Sequence, residues 1–256
     1  MTSFIKNAIF ITSLLATSSA FATDPHWTYD EEWDNLSNAT APTKAMDFPY
    51  AECSLGQKQS PIDLGAEKAV TSTNALKPAY KSVALTVVNN GHSIKVDVPA
   101  ATKSVLSIGS EQYTLLQYHI HAPSEHVIDD KTYDAEIHFV HSTPDGKLAV
   151  VGVLVDAPAT AKHNVEFQKL LDVAPKNKTD APAALTANPA KLLPSTSKFY
   201  LYSGSLTTPP CTEGVNWYVL QKPIQITPAQ LTTFKTLYSG NARAAQALNG
   251  RQVLAK

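Results

Sequence analysis

Three histidines have the residue type and spacing of a metal site. His119 and His121 are separated by one residue, and because side chains alternate between the two faces of a β-strand, a strand here directs both imidazoles to the same side. A second predicted strand, Glu136 to His141, carries His138 on the face opposite His141. Three neutral imidazoles with an open fourth position are typical of catalytic zinc, whereas structural zinc has four protein ligands. The pattern therefore makes His119, His121 and His138 candidate ligands for one Zn²⁺ per chain.

The same alternation predicts which neighbours support the ligands. Gln117 and Glu136 each precede a proposed ligand by two residues and share its face, and such groups orient metal-bound imidazoles by hydrogen bonds. Counting along the first strand gives the metal face Tyr113 and Leu115 and the core face Leu116, Tyr118 and Ile120. A single His-x-His pair is more often simply hydrogen-bonded, and the chain has no His-Glu-x-x-His motif. The metal assignment therefore depends on further motifs.

Two longer strings carry a family resemblance. Gln117 to His126 reads Gln-Tyr-His-Ile-His-Ala-Pro-Ser-Glu-His, and Tyr202 to Pro210 reads Tyr-Ser-Gly-Ser-Leu-Thr-Thr-Pro-Pro. Together they resemble the α-class carbonic anhydrases in their secreted or periplasmic bacterial form. Shorter matches lie along the chain in the same order: His26-Trp27, Tyr29, Gln59 to Ile62, Asn89 to His92, Ala135 to His141, Leu148 to Gly152, Trp217 and Asn249 to Gln252.

The resemblance implies a fold and an activity. The expected fold is α+β and mostly β, a single domain over residues 23–256 whose central, twisted, largely antiparallel sheet carries the zinc site, with a few short peripheral helices. The expected activity is the reversible hydration of carbon dioxide to bicarbonate and a proton, by attack of zinc-bound hydroxide. Neutral ligands suit this chemistry because they leave the metal charge largely uncompensated, and the pKa of bound water then falls to about 7, a value known for carbonic anhydrase itself.

The resemblance also assigns roles to residues outside the ligand set. Thr207 is expected to accept the hydrogen of the hydroxide and to donate its own to Glu125, which aims the nucleophile. The expected wall of the carbon dioxide pocket and the bicarbonate contact are Val140, Val150, Leu206, Trp217 and Thr208. Tyr29 joins Gln117 and Glu136 among the residues expected to support the site from behind. Without the resemblance, Glu125 is equally a surface carboxylate and the apolar residues are ordinary core.

His92 matches the family's proton shuttle and otherwise is a solvated histidine in a turn. An unperturbed imidazole has a pKa of about 6.5, so that proton transfer to it from an acid of similar pKa is nearly thermoneutral. Lys95 stands where well-known relatives often have a neutral polar residue, and a cation there is expected to lower the pKa of the shuttle. The resemblance gives His126, His141 and His163 no catalytic role.

The beginning of the chain predicts export. Residues 1–22 contain Lys6, an apolar run from Ala8 to Leu15 and the A-x-A sequence Ala20-Phe21-Ala22, which together are typical of a secretory signal peptide. The apolar run is shorter than the roughly 20 residues that a membrane span needs, which favours a cleaved leader over a membrane anchor. The mature protein is therefore expected to begin at Thr23, to be periplasmic or secreted, and to have no membrane partner.

Cysteine usage agrees with export. The chain has only Cys53 and Cys211, and an oxidising compartment tends to join such a pair, although two free thiols remain the alternative. Many secreted relatives carry a disulfide that resembles this pairing. A crosslink over so long a loop stabilises by roughly 5 kcal/mol in the chain-entropy model, before native strain is subtracted.

The net charge argues against a nucleic-acid partner. The formal net charge is −1 at pH 7 with histidine neutral, which gives no electrostatic basis for binding nucleic acid. The partner that the resemblance implies is the substrate pair carbon dioxide and bicarbonate, and the chain is expected to be a monomer or a homodimer.

The residue pattern beyond the site is mostly that of β-structure. The region up to about Lys81 predicts irregular chain, and Asp156 to Ser197 predicts mostly surface loop with one short helix from Asn164 to Leu171. Asn89-Asn90-Gly91 is a turn signal between two strands of a hairpin, and Thr227-Pro228 predicts the start of a helix. The predicted strands are Val83 to Val88, Ile94 to Val98, Val105 to Ile108, Tyr113 to His121, Glu136 to His141, Leu148 to Val155, Phe199 to Tyr202 and Val215 to Gln221.

Two other functions are consistent with the same residues. One is a binding protein that keeps the fold without turnover, and the other is a zinc hydrolase that acts on esters. The presence of all three histidines with Thr207 and Glu125 favours the hydration of carbon dioxide over both.

Overall fold

Most of the chain that the structure describes is built around one large β-sheet. The computed structural model describes residues 25–37, 48–65, 70–71, 75–195 and 198–256, so the predicted signal peptide lies outside the described residues. The helices and strands in these ranges are α1 (Glu52–Leu55), β1 (Val70–Thr71), β2 (Leu76–Ala79), β3 (Val83–Asn89), β4 (Ile94–Asp97), β5 (Val105–Ile108), β6 (Glu111–His121), β7 (Val127–Ile128), β8 (Lys131–Thr132), β9 (Ala135–Ser142), β10 (Leu148–Asp156), α2 (Val165–Val173), β11 (Ala183–Ala187), β12 (Phe199–Ser205), β13 (Glu213–Gln225), α3 (Pro228–Lys235) and β14 (Leu254–Ala255).

The sheet has twelve strands. Ten of them lie in the order β1-β14-β12-β13-β10-β9-β6-β4-β3-β11, while β5 pairs with the first part of β6 and β2 pairs with β5. The β10–β13 and β1–β14 pairs are parallel and the other pairs are antiparallel. The predicted fold class, mostly β with a largely antiparallel central sheet and a few short helices, is confirmed.

The central strand β10 is apolar along almost its whole length, as expected for a strand that is covered on both faces. Ala149, Val151 and Val153 pack into a large core with residues of α2 and α3. Val150 and Leu154 point to the other face and pack into a smaller core with Trp217. Because burying one such side chain contributes about 1.5–3 kcal/mol, both faces hold the strand in register below the site.

The predicted faces of β6 are wrong in its first half. A β-bulge lies between Leu115 and Gln117, and the extra residue, Leu116, is exposed. Tyr113 and Leu115 therefore lie in the same core as Tyr118 and Ile120, and do not face the metal site. A bulge inserts one residue and reverses the alternation beyond it, so the faces predicted from Gln117 onward agree with the structure.

Two regions are more ordered than their composition predicts. β2 lies within the N-terminal part that was expected to be irregular, and β11 lies within the expected surface loop, where it pairs with β3 at the edge of the sheet. The strands that the sequence predicts and the β3–β4 hairpin are present. Helix α3 begins at the predicted proline, with a capping box between Thr227 and Gln230. Propensity missed β2 and β11 because tertiary pairing, more than local sequence, stabilises short edge strands.

The predicted disulfide is present. Cys53 and Cys211 are bonded across 158 residues, and both lie in a small apolar cluster with Trp33 and Tyr50. The bond links α1 to the loop that follows β12. It therefore ties the N-terminal part of the chain to the segment that carries Thr207 and Thr208.

Candidate metal centre and active site

The three predicted ligands lie together on two neighbouring strands. His119 and His121 belong to β6, His138 belongs to β9, and His119 lies directly opposite His138 in the pairing. One nitrogen from each ring lies within 4.8 Å of the others. His121 and His138 are buried, whereas His119 is partly exposed. These rings could hold one metal ion at the base of a cleft.

Hydrogen bonds from behind the rings determine which nitrogens remain for a metal. Nδ1 of His119 lies 2.8 Å from Oε1 of Gln117, and Nδ1 of His121 lies 2.6 Å from the backbone oxygen of Asn241. Nε2 of His138 lies 3.0 Å from Oε1 of Glu136, at an angle outside good hydrogen-bond geometry. These contacts leave Nε2 of His119, Nε2 of His121 and Nδ1 of His138 for a shared cation.

The donor chemistry fits a metal with borderline ligand preference. Nε2 of His121 is buried and has no hydrogen-bond partner among the described residues, which is costly unless another group satisfies it. Burial lowers the pKa of His121 to about 4. Burial also lowers the pKa of His138, although the charge of Glu136 opposes it. The pKa of His119 is held well below its usual value by burial, by the neighbouring histidines and by Lys95. Neutral imidazoles are the form that binds zinc.

Glu136 is a buried junction behind the ligands. Its Oε2 accepts hydrogen bonds from the backbone N–H groups of Glu125 and His126, at 3.0 and 2.8 Å, while its Oε1 lies 2.8 Å from Nδ1 of His126. Burial raises the pKa of this carboxyl, but His126 and His138 outweigh burial and hold it well below the usual range. Glu136 is therefore an ionised acceptor that fixes both rings.

A glycine on the next strand makes room for that carboxylate. Gly152 of β10 lies opposite His138 in the pairing, and a Cβ atom at this position would come within 2.7 Å of Oε1 of Glu136. Such an approach is closer than van der Waals contact permits. The site therefore needs a residue without a side chain at position 152.

Glu125 lies beside two of the predicted ligands, His121 and His138. Oε1 of Glu125 accepts the backbone N–H of Arg243 at 2.8 Å, whereas its Oε2 is buried with no partner of good geometry among the described residues. Burial raises the pKa of this carboxyl to about 7, against the effects of His138, the Arg243 N–H and the hydroxyl of Thr207. The hydroxyl of Thr207 is thus close enough to Glu125 to affect the pKa of its carboxyl.

The loop that carries Thr207 is held at several points. Leu206 N–H donates to the oxygen of Thr212 at 3.0 Å, and the indole N–H of Trp217 donates to the oxygen of Ser205 at 2.9 Å. Cys211 adds the disulfide. Thr207 is 5 % exposed, so its side chain is buried beside these fixed points of the loop.

The predicted apolar wall is one continuous surface. Val150 lies between Val140 and Trp217 in the sheet, and both valines and the indole pack in the smaller core with Leu206 beside them. The ring of Trp217 lies 4.8 Å from that of His138. These four residues therefore form one apolar group next to the ring of His138.

The cleft above the ligands has a volume of about 110 Å³. Its lining includes the predicted residues Tyr29, His92, Lys95, Gln117 and Thr208. The hydroxyl of Tyr29 is buried without a partner among the described residues, and burial, then Glu125 and Tyr238, raise its pKa. Tyr29 thus lies beside the cleft and packs edge-on against Trp27 and Trp33.

His92 stands at the mouth of this cleft in an aromatic contact. Its ring stacks on Trp27 with the ring centres 3.7 Å apart and the planes 6° from parallel, and the ring of His26 is 5.9 Å away. Partial burial, then the positive charges of His26 and Lys178, lower the pKa of His92. The ring of His92 is therefore held beside the cleft by its contact with Trp27.

The cation that acts on His92 differs from the predicted one. Lys95 forms a 2.8 Å ion pair with Asp97 and contributes to the lowered pKa of His119. The neighbour of His92 is Lys178, whose side chain passes over the backbone of Gly91. Because Lys178 is distant from His92 in the sequence, no local pattern pointed to it.

Sequence reasoning missed two further residues at the site. Asn241 supplies the backbone oxygen that contacts His121, and Arg243 supplies the N–H that contacts Glu125. A backbone group leaves no mark on residue type, so no sequence signal identifies these contacts. His126 and His141 take structural contacts, the latter with Tyr80 at 2.5 Å, and His163 lies away from the site beside α2.

Comparison with known proteins places the chain in a family. The family model described as eukaryotic-type carbonic anhydrase matches residues 44–256. The chain belongs to this family, the α-carbonic anhydrases, and is an enzyme of the carbonic anhydrase class. No helix in the described ranges is both long and apolar enough to cross a membrane.

Bacterial relatives and solved structures match over most of the chain. A carbonic anhydrase of Nostoc sp. is 36 % identical, with 94 % of this chain and 90 % of that protein covered, and one of Klebsiella pneumoniae is 34 % identical, with 99 % of each covered. The structure of the α-carbonic anhydrase of Thermovibrio ammonificans in complex with sulfanilamide superposes with a TM-score of 0.81 at 36 % identity, over 91 % of this chain and 100 % of the other. The predicted family resemblance is confirmed.

Proposed function

We propose that the chain catalyses the zinc-dependent, reversible hydration of carbon dioxide to bicarbonate and a proton. The observation that carries this proposal is the group of three neutral, largely buried imidazoles, two of which are hydrogen-bonded from behind while the third lies 3.0 Å from Glu136. Family membership supports it. Zinc held by His119, His121 and His138 would supply Lewis acidity that makes water a nucleophile near neutral pH, a property known for carbonic anhydrase itself.

The residues around the ligands orient the nucleophile. Thr207 accepts the hydrogen of the attacking hydroxyl group and donates its own hydrogen to Oε2 of Glu125. Two observations support this direction: that oxygen has no hydrogen-bond partner among the described residues, and Oε1 of Glu125 already accepts the backbone N–H of Arg243. With its hydrogen fixed, the nucleophilic lone pair points away from Thr207. Such orientation lowers the barrier by avoiding unproductive rotations.

The apolar wall and Thr208 hold the two forms of the substrate. Val140, Val150, Leu206 and Trp217 offer carbon dioxide an apolar surface, on which the one N–H group, that of the Trp217 indole, is already bonded to Ser205. Thr208, which lines the cleft, offers a hydroxyl to bicarbonate. Bicarbonate prefers the polar edge of the cleft, so product formation itself favours departure from the apolar wall.

His92 removes the proton that the reaction releases. The ring lies at the cleft mouth, where it is partly buried, and contacts both the interior of the cleft and solvent. Only neutral imidazole accepts a proton. The lowered pKa of His92 therefore keeps it ready to accept a proton at neutral pH.

One matched pair of variants tests the metal assignment. His138 and His141 lie on opposite faces of β9 and are both buried. We expect His138→Ala to lose zinc, measured by elemental analysis after dialysis, and to lose hydration of carbon dioxide in stopped flow. His141→Ala should keep one zinc per folded chain. Full zinc occupancy and activity in His138→Ala would refute the site, and an inactive zinc-free wild type would favour a binding protein.

Export is part of the proposal. The disulfide and the predicted leader over residues 1–22 support an extracytoplasmic location, which we take to be the periplasm. Cell fractionation with N-terminal sequencing should recover a mature chain that begins at Thr23, and sedimentation of that chain will distinguish a monomer from a homodimer.

A further inference from the structure

The segment after α3 links the turn that carries His92 to the strand that carries two metal ligands. Asn241 is 3 % exposed. Its Nδ2 donates to the backbone oxygens of His92 and Ile120, at 3.1 and 3.0 Å, and its Oδ1 accepts the N–H of Ala122 at 2.9 Å. Ile120 and Ala122 flank His121, so one amide side chain joins both structures.

The backbone and the side chain of Asn241 have different targets. The backbone oxygen contacts Nδ1 of His121, while the side chain contacts the His92 turn and the two residues beside His121. A substitution at position 241 keeps the backbone oxygen but removes the side-chain bridge. The two effects can therefore be separated by experiment.

The His92 turn is joined to the metal strand through β4, where Lys95 pairs with His119, and Asn241 adds a side-chain link closer to His92. Its internal bonds, from the N–H groups of His92 and Ser93 to Oδ1 of Asn90 at 2.9 and 2.7 Å, close the turn but move with it. The stacking partner Trp27 lies in the N-terminal segment, outside the strands of the sheet. The bond from Asn241 is thus a direct link between the turn and the metal strand.

We propose that Asn241 is a positioning residue for proton transfer, because its side-chain amide ties the backbone at His92 to the strand of His119 and His121, in addition to the β4–β6 pairing. This inference rests on the proposed shuttle function of His92. Transfer through a short chain of groups depends on geometry to within about 1 Å. The amide is suited to this task because it alone can donate to both carbonyl oxygens while it accepts from Ala122.

The first test replaces the bridge with a short neutral side chain in the zinc-loaded enzyme. For Asn241→Ser we expect kcat for carbon dioxide hydration in dilute buffer to fall about tenfold, the scale of a sub-ångström to ångström misplacement. We expect kcat/KM, which does not include the later proton transfer, to change less than about twofold. Added imidazole should restore kcat, because it accepts the proton directly.

A second readout does not depend on activity. The ring protons of His92 lie over the face of Trp27, so their NMR shifts carry the ring current of the indole. In Asn241→Ser these signals should move toward the values of an unstacked histidine. Asn188→Ser is the matched control, since Asn188 caps a short 3-10 helix at Pro189–Leu192 through Oδ1 and Ser is also a good cap.

Defined results would overturn the role of Asn241. Unchanged His92 signals and unchanged kcat in folded Asn241→Ser would do so, as would a parallel loss of kcat and kcat/KM that imidazole does not restore. If Asn241→Ser does not fold, Asn241→Asp keeps the size and the acceptor for Ala122 and serves the same measurements. A wild-type kcat in His92→Ala would instead refute the shuttle, while the NMR readout would still decide whether Asn241 fixes the turn.

Discussion

Replacing Glu136 with glutamine should weaken zinc binding, although the substitution replaces none of the predicted metal ligands. The carboxylate faces two backbone N–H groups with Oε2 and the rings of His126 and His138 with Oε1. A glutamine amide has one oxygen and one NH₂ group. Whichever way it is turned, two of these contacts face a donor.

Both orientations of the amide are costly. If the NH₂ group faces the backbone, two buried N–H donors lose their acceptor, at about 1–3 kcal/mol each, or about 2–6 kcal/mol of folding free energy in total. If it faces the rings, His138 must accept at Nε2 and carry its proton on Nδ1, which is the nitrogen left for the metal. Either way we expect zinc affinity to fall about 10–100-fold, the range that such outer contacts show in metalloproteins, carbonic anhydrase among them.

The assay is competition for zinc with a chelator of known affinity, combined with urea unfolding of the metal-free protein. Glu111→Gln is the control, because Glu111 is an exposed acid near the start of β6 that contacts Lys147 and Tyr113. Its zinc affinity should equal that of wild type. If Glu136→Gln binds zinc as tightly as wild type and unfolds at the same urea concentration, the Glu136 carboxylate does not fix the ligand rings.

Three further changes have defined outcomes. Thr207→Ala should keep one zinc per chain and lose about 10²-fold or more of kcat/KM, because the nucleophile is no longer oriented; zinc analysis with stopped-flow hydration checks this, and full activity would contradict it. Lys178→Gln should raise the pKa of His92, since removing a nearby positive charge favours the imidazolium. The acidic limb of the kcat profile should then move to higher pH, and an NMR titration that shows a lower pKa would contradict this prediction. The double variant Cys53→Ser/Cys211→Ser should lose stability by an amount on the order of 2–5 kcal/mol in urea unfolding, since the unfolded chain gains freedom over a loop of 158 residues; equal stability of the variant and the oxidised wild type would show that native strain cancels the crosslink.

The sequence was sufficient for features that depend on residue type and a short period. The relation between His119 and His121 follows from the alternation of a strand, and the exclusion of His141 follows from the same rule on β9. The apolar run that forms β10 is long enough to predict a buried strand. These predictions needed no knowledge of which strands are neighbours.

The rest depended on geometry that residue types do not encode. The bulge at Leu116 cannot be read from an alternating pattern, because one extra residue changes the face of everything before it without changing composition. Asn241 and Arg243 act on His121 and Glu125 through backbone groups, which every residue has. Lys178 reaches His92 only because distant segments fold against the same turn.

The close approach of Gly152 to Glu136 means that a substitution at either position during evolution depends on the residue at the other. A methyl group at position 152 would displace the carboxylate that holds His126, His138 and the backbone at Glu125, so such a change is damaging while Glu136 is present. A shorter residue at position 136 would first have to vacate the space, and it would lose the reach to the rings. Neither single step preserves the site, which is why we expect glycine and glutamate to be kept or replaced together wherever this arrangement of strands binds a metal.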